Sequence, residues 1–425
     1  MKKFDIVIIG AGPAGGQCAR VLTNKGYKVL LAEQHPNFLQ HDFSSAGTPL
    51  ETLNKFDLPT DVVGSFWQKI TIVTTNISHT WSSAEQLGAV LNFAKLREFL
   101  ASEVENNGGE VWLGYRYIHH QILDGETLVE LRKVGGEKIT VSTRILVDAS
   151  GPARAVFSKY LSPNVVSNSP DQSTDQPPNK SDKFFVASGI EYLIEVADNT
   201  YEKCANNLIF FLGYKWMPKG YSWIFPMENN RLKVGAAKCH LPHLHIAKTE
   251  AIKWYIDLII KEYLELTQEQ YTIVDIHGAN VKYCSGLQDI YYHRNIIGIG
   301  DVVSSINMLG GEGIRHGMDN AMIASKYIEQ YLQGKLNNFR PYEREIKRRY
   351  AVKWNISEQM GRRRYLQDND QYIDKSVNFL KSFSTEDMIN ILFYYKFDKL
   401  YQGLGKYLQK KLSLWWQSCR NYLRI

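Results

Sequence analysis

Cysteine is scarce in this chain and irregularly spaced: Cys18, Cys204, Cys239, Cys284 and Cys419 are odd in number and never form a C-x-x-C pair. That argues against a disulfide framework and a thiolate zinc site, and it fits a reducing compartment. No uninterrupted apolar run reaches the roughly 18 residues of a membrane-spanning helix. The opening run from Phe4 to Ile9 is too short for a secretory signal and passes straight into a glycine loop, so the start is expected to belong to the fold. Internal repeats are lacking. Charge of one sign is not in large excess, at 50 Lys and Arg against 44 Asp and Glu. The surplus is nevertheless localised, because residues 340–425 hold 18 Lys and Arg against 9 Asp and Glu and leave the remainder net negative. No nucleic-acid partner is expected.

What is present is a globular composition, 44% hydrophobic and 22% charged, in 425 residues. Single cores stop growing at roughly 250–300 residues, so two or more folding units are expected. Phe4 to Ile9 reads as a strand buried on both faces, Pro13 to Lys25 as a helix stopped by Gly26, and Lys28 to Ala32 as a second buried strand ending at Glu33. This is a βαβ unit. A helix is expected over 89–107, then a meander of three strands over 110–147 turning at Asp124-Gly125 and Gly135-Gly136. Ser162 to Asp182, rich in Pro, Ser, Asn and Asp, reads as a long loop and a boundary. Strands follow at Phe184–Val196, Asn207–Lys215, Tyr221–Phe225 and Leu232–Lys238, then a helix at 247–264 and a strand near 271–282. Asn295 to Ile299 is again a buried strand.

The expected fold class is therefore α/β. A Rossmann-like nucleotide domain from residues 1–160 and 283–335 carries an antiparallel-sheet domain at 183–282 and a helical basic region at 340–425.

The chemistry starts at Gly10-Ala11-Gly12-Pro13-Ala14-Gly15, which has G-x-G-x-x-G spacing between a strand and a helix. Glycines there permit a tight turn, close approach of a pyrophosphate and close helix–strand packing, while the helix start offers free N–H groups. Glu33, with Gln34 after it, stands at the tip of the second strand, where a carboxylate accepts ribose hydroxyls and repels a 2′-phosphate. Dinucleotide binding is expected, with NADP disfavoured at this position.

The far end of the chain supplies a resemblance. Gly300 to Ile314, GDVVSSINMLGGEGI, is similar without gaps to the second flavin fingerprint of geranylgeranyl reductases, Gly-Asp-Ala-Ala-Gly-x-x-x-Pro-x-x-Gly-Gly-Gly-Ile. That family belongs to the FAD-dependent oxidoreductases with the aromatic-hydroxylase fold. Tyr221-Ser222-Trp223-Ile224-Phe225-Pro226 resembles its Tyr-x-Trp-x-Phe-Pro motif. Leu146 to Gly151, with Asp148 and Ala149, resembles its middle motif, and Arg97 matches an arginine beside the cofactor. The resemblance implies FAD as cofactor. Gly300 and Asp301 would meet the ribityl chain, and Gly311, Gly313 and Ile314 the pyrimidine edge. Tyr221, Trp223 and Phe225, on one strand face by alternation, would wall an apolar pocket.

Departures are Ser304 for glycine, Met308 for proline, Glu312 for the central glycine, and Ser45-Ala46-Gly47 where the family has a cysteine-glycine segment. Glu312 reads either as a proton donor with a raised pKa beside a buried flavin or as a carboxylate suited to a helix start. His240, His243 and His245, like His119-His120, read as solvent histidines, and no metal is expected. Lys396 to Ile425 interleaves basic residues with Trp415 and Trp416, which suits either an anionic bilayer surface or packing against protein.

The expected activity is reduction of double bonds in a prenyl or similarly apolar lipid by reduced flavin, with Tyr221, Trp223 and Glu312 as candidate catalytic residues. Only one dinucleotide fingerprint is visible, so NAD(P)H or a protein electron donor is expected to bind transiently. The expected place is the cytoplasm, with a peripheral membrane position open. Three rivals stay open: a flavin monooxygenase or halogenase of the same fold, a carotenoid cyclase-like enzyme, and a non-catalytic flavin-binding protein recruited to membranes or complexes.

Overall fold

A computed structural model describes residues 1–40, 42, 44–161, 184–240, 249–366 and 369–400. The expected loop at 162–182, His243, His245 and nearly all of the basic tryptophan-rich tail lie outside the described residues.

The first sheet forms around Lys3–Ile9, whose apolar residues are almost fully buried. It pairs in parallel with Val29–Glu33 on one side and Lys138–Asp148 on the other, in register Ile6 with Val29 and Ile145. Ile296–Gly298 then pairs in parallel with Lys138–Asp148, so a segment from late in the chain completes the nucleotide sheet. Buried on both faces, such strands read as continuous apolar runs. Helix Pro13–Asn24 packs beside helix Ile314–Leu332.

The second sheet has seven strands, in spatial order Tyr271–Cys284, Phe184–Val196, Arg231–His240, Gly220–Met227, Asn207–Phe211, Lys69–Val73 and Ser78–Ser82. Alternation gives it two faces. Ile194, Ile224 and Val234 enter the core under helix Ile252–Glu262, whereas Trp223 and Phe225 enter another core on the opposite face. Among the described residues three helices towards the C-terminus, Arg340–Tyr365, Asp370–Leu380 and Thr385–Leu392, pack through Trp354, Val377 and Met388 against Trp81, Tyr283 and Leu309.

Several expected boundaries change. Lys69–Val73 pairs in parallel with Asn207–Phe211, so the antiparallel-sheet unit recruits strands from within 1–160. The expected helix over 89–107 begins only at Phe93, because Gly88–Leu91 is a strand and Asn92 caps the helix by accepting from Lys95 N. The meander has a fourth strand, Glu110–Leu113, drawn onto Val29–Glu33 by parallel pairing. Among the described residues no helix is long and apolar enough to cross a membrane.

Candidate active site

A cavity of about 780 Å³ lies between the two sheets, lined from both. At one end stand Gly10, Gly12, Pro13 and Ala14. Gly10 has φ +105°, and a Cβ there would come within 2.5 Å of the Ala149 carbonyl oxygen, so the tight turn requires glycine. Gly15 does not line the cavity. A Cβ on it would overlap the Gly10 carbonyl, which makes it the residue that lets helix and strand touch. No side chain caps the helix, so its first-turn amides face the cavity end without a side-chain acceptor. Glu33 and Gln34 line the same end, and Glu33 accepts from Ala11 N at 2.9 Å and His35 N at 3.1 Å, fixing its carboxylate at the strand tip.

Asp148 is turned away from the cavity. It is fully buried and accepts from Ser150 N, Val156 N and Phe157 N, bracing the loop whose Ala149 and Ser150 form the wall. Arg97 lines the wall with its guanidinium 4.6 Å from the Phe93 ring centre and donates to the carbonyls of Phe38 and Gln40.

Gly300 and Asp301 lie beside the start of helix Pro13–Asn24, and Ser305 Oγ donates to Asp301 at 3.1 Å. Burial raises the Asp301 pKa, opposed by Ser305 and the positive charge of Arg154. Gly311, Gly313 and Ile314 continue the wall. Asn307, unnoticed in the sequence because no motif position marks it, is wholly buried on this wall. Its Oδ1 accepts from Leu309 N at 2.9 Å while its Nδ2 has no partner among the described residues.

Glu312 departs from its expected role as an acid of raised pKa. It does not line the cavity; Arg315 grips both its oxygens at 2.7 Å and His316 lies 3.4 Å away. Burial would raise its pKa, but the hydrogen bond from Arg315 and the charges of His316 and Arg315 outweigh burial and pull it down to about 2. Such a group holds no proton to give.

Across the cavity, Tyr221 and Trp223 form part of the second sheet's wall, with Ala187, Gly189, Ala237 and Ala279 beside them. Phe225 does not reach it. Two residues further along the same face, it packs edge-on to Phe210 and over Gly47. The Tyr221 hydroxyl sits over Gly311, where φ is +65° and a Cβ would overlap it. Burial raises the Tyr221 pKa, so the hydroxyl stays protonated.

Tyr365, from a basic helical stretch with no recognisable motif, stacks on Tyr221 with ring centres 5.3 Å apart and donates to the Leu309 carbonyl. Trp223 Nε1 donates to the buried Glu191 at 2.7 Å. Glu191 has its pKa raised by burial against the pull of Lys233, and Lys233 donates to the Ser44 carbonyl at 2.6 Å, tying the second sheet to the segment after Val29–Glu33.

These residues fit FAD. A glycine turn and an uncapped helix start suit a pyrophosphate, the strand-tip carboxylate suits a ribose, and a second glycine-rich wall, with a buried amide that has no partner among the described residues, continues from it.

Residues 186–281 match the geranylgeranyl reductase catalytic domain. A digeranylgeranylglycerophospholipid reductase of Haloferax volcanii is 30% identical over 354 residues, 77% of this chain and 76% of the relative. Its counterpart "3" in Methanosphaera stadtmanae is 23% identical over 92% of this chain and 96% of its own. Among solved structures, a geranylgeranyl bacteriochlorophyll reductase-like protein of Thermoplasma acidophilum superposes with a TM-score of 0.76 at 18% identity, covering 95% of this chain and 100% of that one. A halogenase in complex with phloroglucinol and FAD has a TM-score of 0.63 at 13% identity, over 89% and 83% of the two chains. With its glycine turns, strand-tip acid and aromatic wall around one cavity, the chain belongs to the geranylgeranyl reductase family of FAD-dependent oxidoreductases.

Proposed function

We propose that the protein reduces carbon–carbon double bonds in the prenyl chain of a lipid. The observation that carries this reading is the aromatic wall itself: Tyr221 and Trp223 face the glycine turns across a single cavity, with the Tyr221 hydroxyl over Gly311.

The chemistry that bound, reduced FAD supplies is delivery of a hydride. Gly10, Gly12, Pro13, Ala14 and Glu33 would hold its adenosine and pyrophosphate half, and Asp301 its ribityl chain. Gly311, Gly313 and Ile314 would hold its pyrimidine edge. Trp223 and the small residues beside it exclude water from the alkene. Reduction needs a proton at the second carbon, and Tyr221 gives it: its O–H bond breaks, a C–H bond forms, and solvent reprotonates the phenolate. Burial holds that proton on the hydroxyl, so the tyrosine meets the alkene in its acid form. Glu312 has no part in the transfer. Electrons return through transient NAD(P)H or a protein donor, and an apolar lipid would be met at the cytoplasmic face of a membrane.

The test is anaerobic. The purified protein is loaded with FAD, reduced, and given lipids bearing geranylgeranyl chains, with product mass as the readout. A gain of two hydrogens per bond is the expected result. A new product isomeric with the substrate would instead indicate a cyclase-like reaction, and turnover seen only after oxygen is admitted a monooxygenase or halogenase.

A further inference from the structure

Trp223, Gly235 and Glu191 lie in register on three adjacent strands of the seven-stranded sheet, Gly235 paired with Trp223 on one side and with Glu191 on the other. A Cβ at Gly235 would overlap the indole ring, so the ring lies flat across the backbone of the middle strand. At the far side its Nε1 meets Glu191 at 2.7 Å, and Glu191 is 2% exposed, so water does not compete for the bond. Tyr221 stands beside the indole, with ring centres 5.5 Å apart, and the rest of the sheet near it contributes the small residues Ala187, Gly189, Ala237 and Ala279 to the wall. An indole lying flat leaves that space open; one standing up from the sheet would fill it. Neither Glu191 nor Gly235 lines the cavity.

We infer that Glu191 and Gly235 are positioning residues that set the depth of the cavity, and with it the length of apolar chain it accepts, by laying Trp223 flat over the middle strand. The inference rests on the prenyl reading of the cavity for its biological sense but not for its measurement. Gly235→Ala forces the ring up by sterics. Glu191→Leu removes the acceptor and leaves the indole N–H unpaired against an apolar surface. Glu191→Gln keeps an oxygen in place for it.

The experiment measures calorimetric affinity of the FAD-loaded full chain for n-alkanols and prenyl alcohols of graded length, alongside FAD content and melting temperature. Gly235→Ala and Glu191→Leu are expected to lose about tenfold for the longest chains the parent binds, and less than about twofold for the shortest, while Glu191→Gln keeps the parent profile. An unaltered length profile in the first two variants, or a loss equal at every length, overturns the inference. Failure of the parent to bind any alkanol overturns it too. If alkanol profiles shift as expected but prenyl alcohols neither bind nor react, the positioning role stands and the proposed function falls.

Discussion

Gly300 and Ala14, far apart in the sequence, are in such close approach that a Cβ on Gly300 would come within 2.7 Å of the Ala14 methyl. This joins the turn before Asp301 to the start of helix Pro13–Asn24, and it holds the two glycine-rich parts of the cavity wall in fixed relation. Gly300 also has φ +64°, a conformation that side chains adopt only with strain. Gly300→Ala is expected to lower stability by about 1–3 kcal/mol and to purify with most of its flavin lost. The ratio of flavin to protein absorbance checks the second effect, and thermal unfolding the first.

Tyr221→Phe removes the proposed proton donor while keeping the ring that stacks on Tyr365. Turnover of reduced enzyme with alkene should fall by roughly 10²–10⁴-fold with KM little changed. Equal activity in the variant would assign the proton to another source.

Glu312→Gln should act on stability and not on proton transfer. The substitution leaves Arg315 buried without its carboxylate, at a cost of about 3–5 kcal/mol. In the parent, folding takes this carboxyl from its ordinary 4.5 down to about 2, so between those values the unfolded chain binds more protons than the folded one. The stabilisation is complete above 4.5 and drains away as pH falls towards about 2, on the order of 3 kcal/mol in all. Urea unfolding across that range should show a slope in the parent that is shallower in the variant.

Ser304 has φ +56° where the family motif has glycine, and its hydroxyl oxygen accepts from Cys284 N at 2.8 Å and from Arg154 at 3.2 Å. Ser304→Gly relieves about 1 kcal/mol of backbone strain but withdraws an acceptor from two buried donors, a larger loss. A net fall in melting temperature is expected, and a rise would show that strain dominates.

Much of this was open to reading because the signals are local. The opening βαβ unit is spelled by a buried run, glycines and a strand-tip acid within one stretch of chain. Phe184–Val196 is recognisable from its β-branched and aromatic residues alone. Glu312 shows the limit: its position at a helix start is legible, but its protonation depends on Arg315 and His316 folding back onto it. Phe225 shares a face with Tyr221 and Trp223 by alternation, yet the cavity ends before it, and alternation carries no information on where a cavity stops. Glu191 is an acid in the middle of a largely apolar strand, a signal of something buried, but its partner two strands away follows only from register. Tyr365 sits in a helix whose composition advertises charge.

The parallel pairing of Lys69–Val73 with Asn207–Phe211 has a consequence for biogenesis. Emerging from the ribosome, the earlier strand has its antiparallel hairpin mate Ser78–Ser82 but must wait for the later one, and the nucleotide sheet waits longer still for Ile296–Gly298. Contacts so distant along the chain close slowly and leave apolar edges bare in the meantime. Nascent polypeptide should therefore lean on chaperones until synthesis has passed Gly298, and neither unit should mature alone.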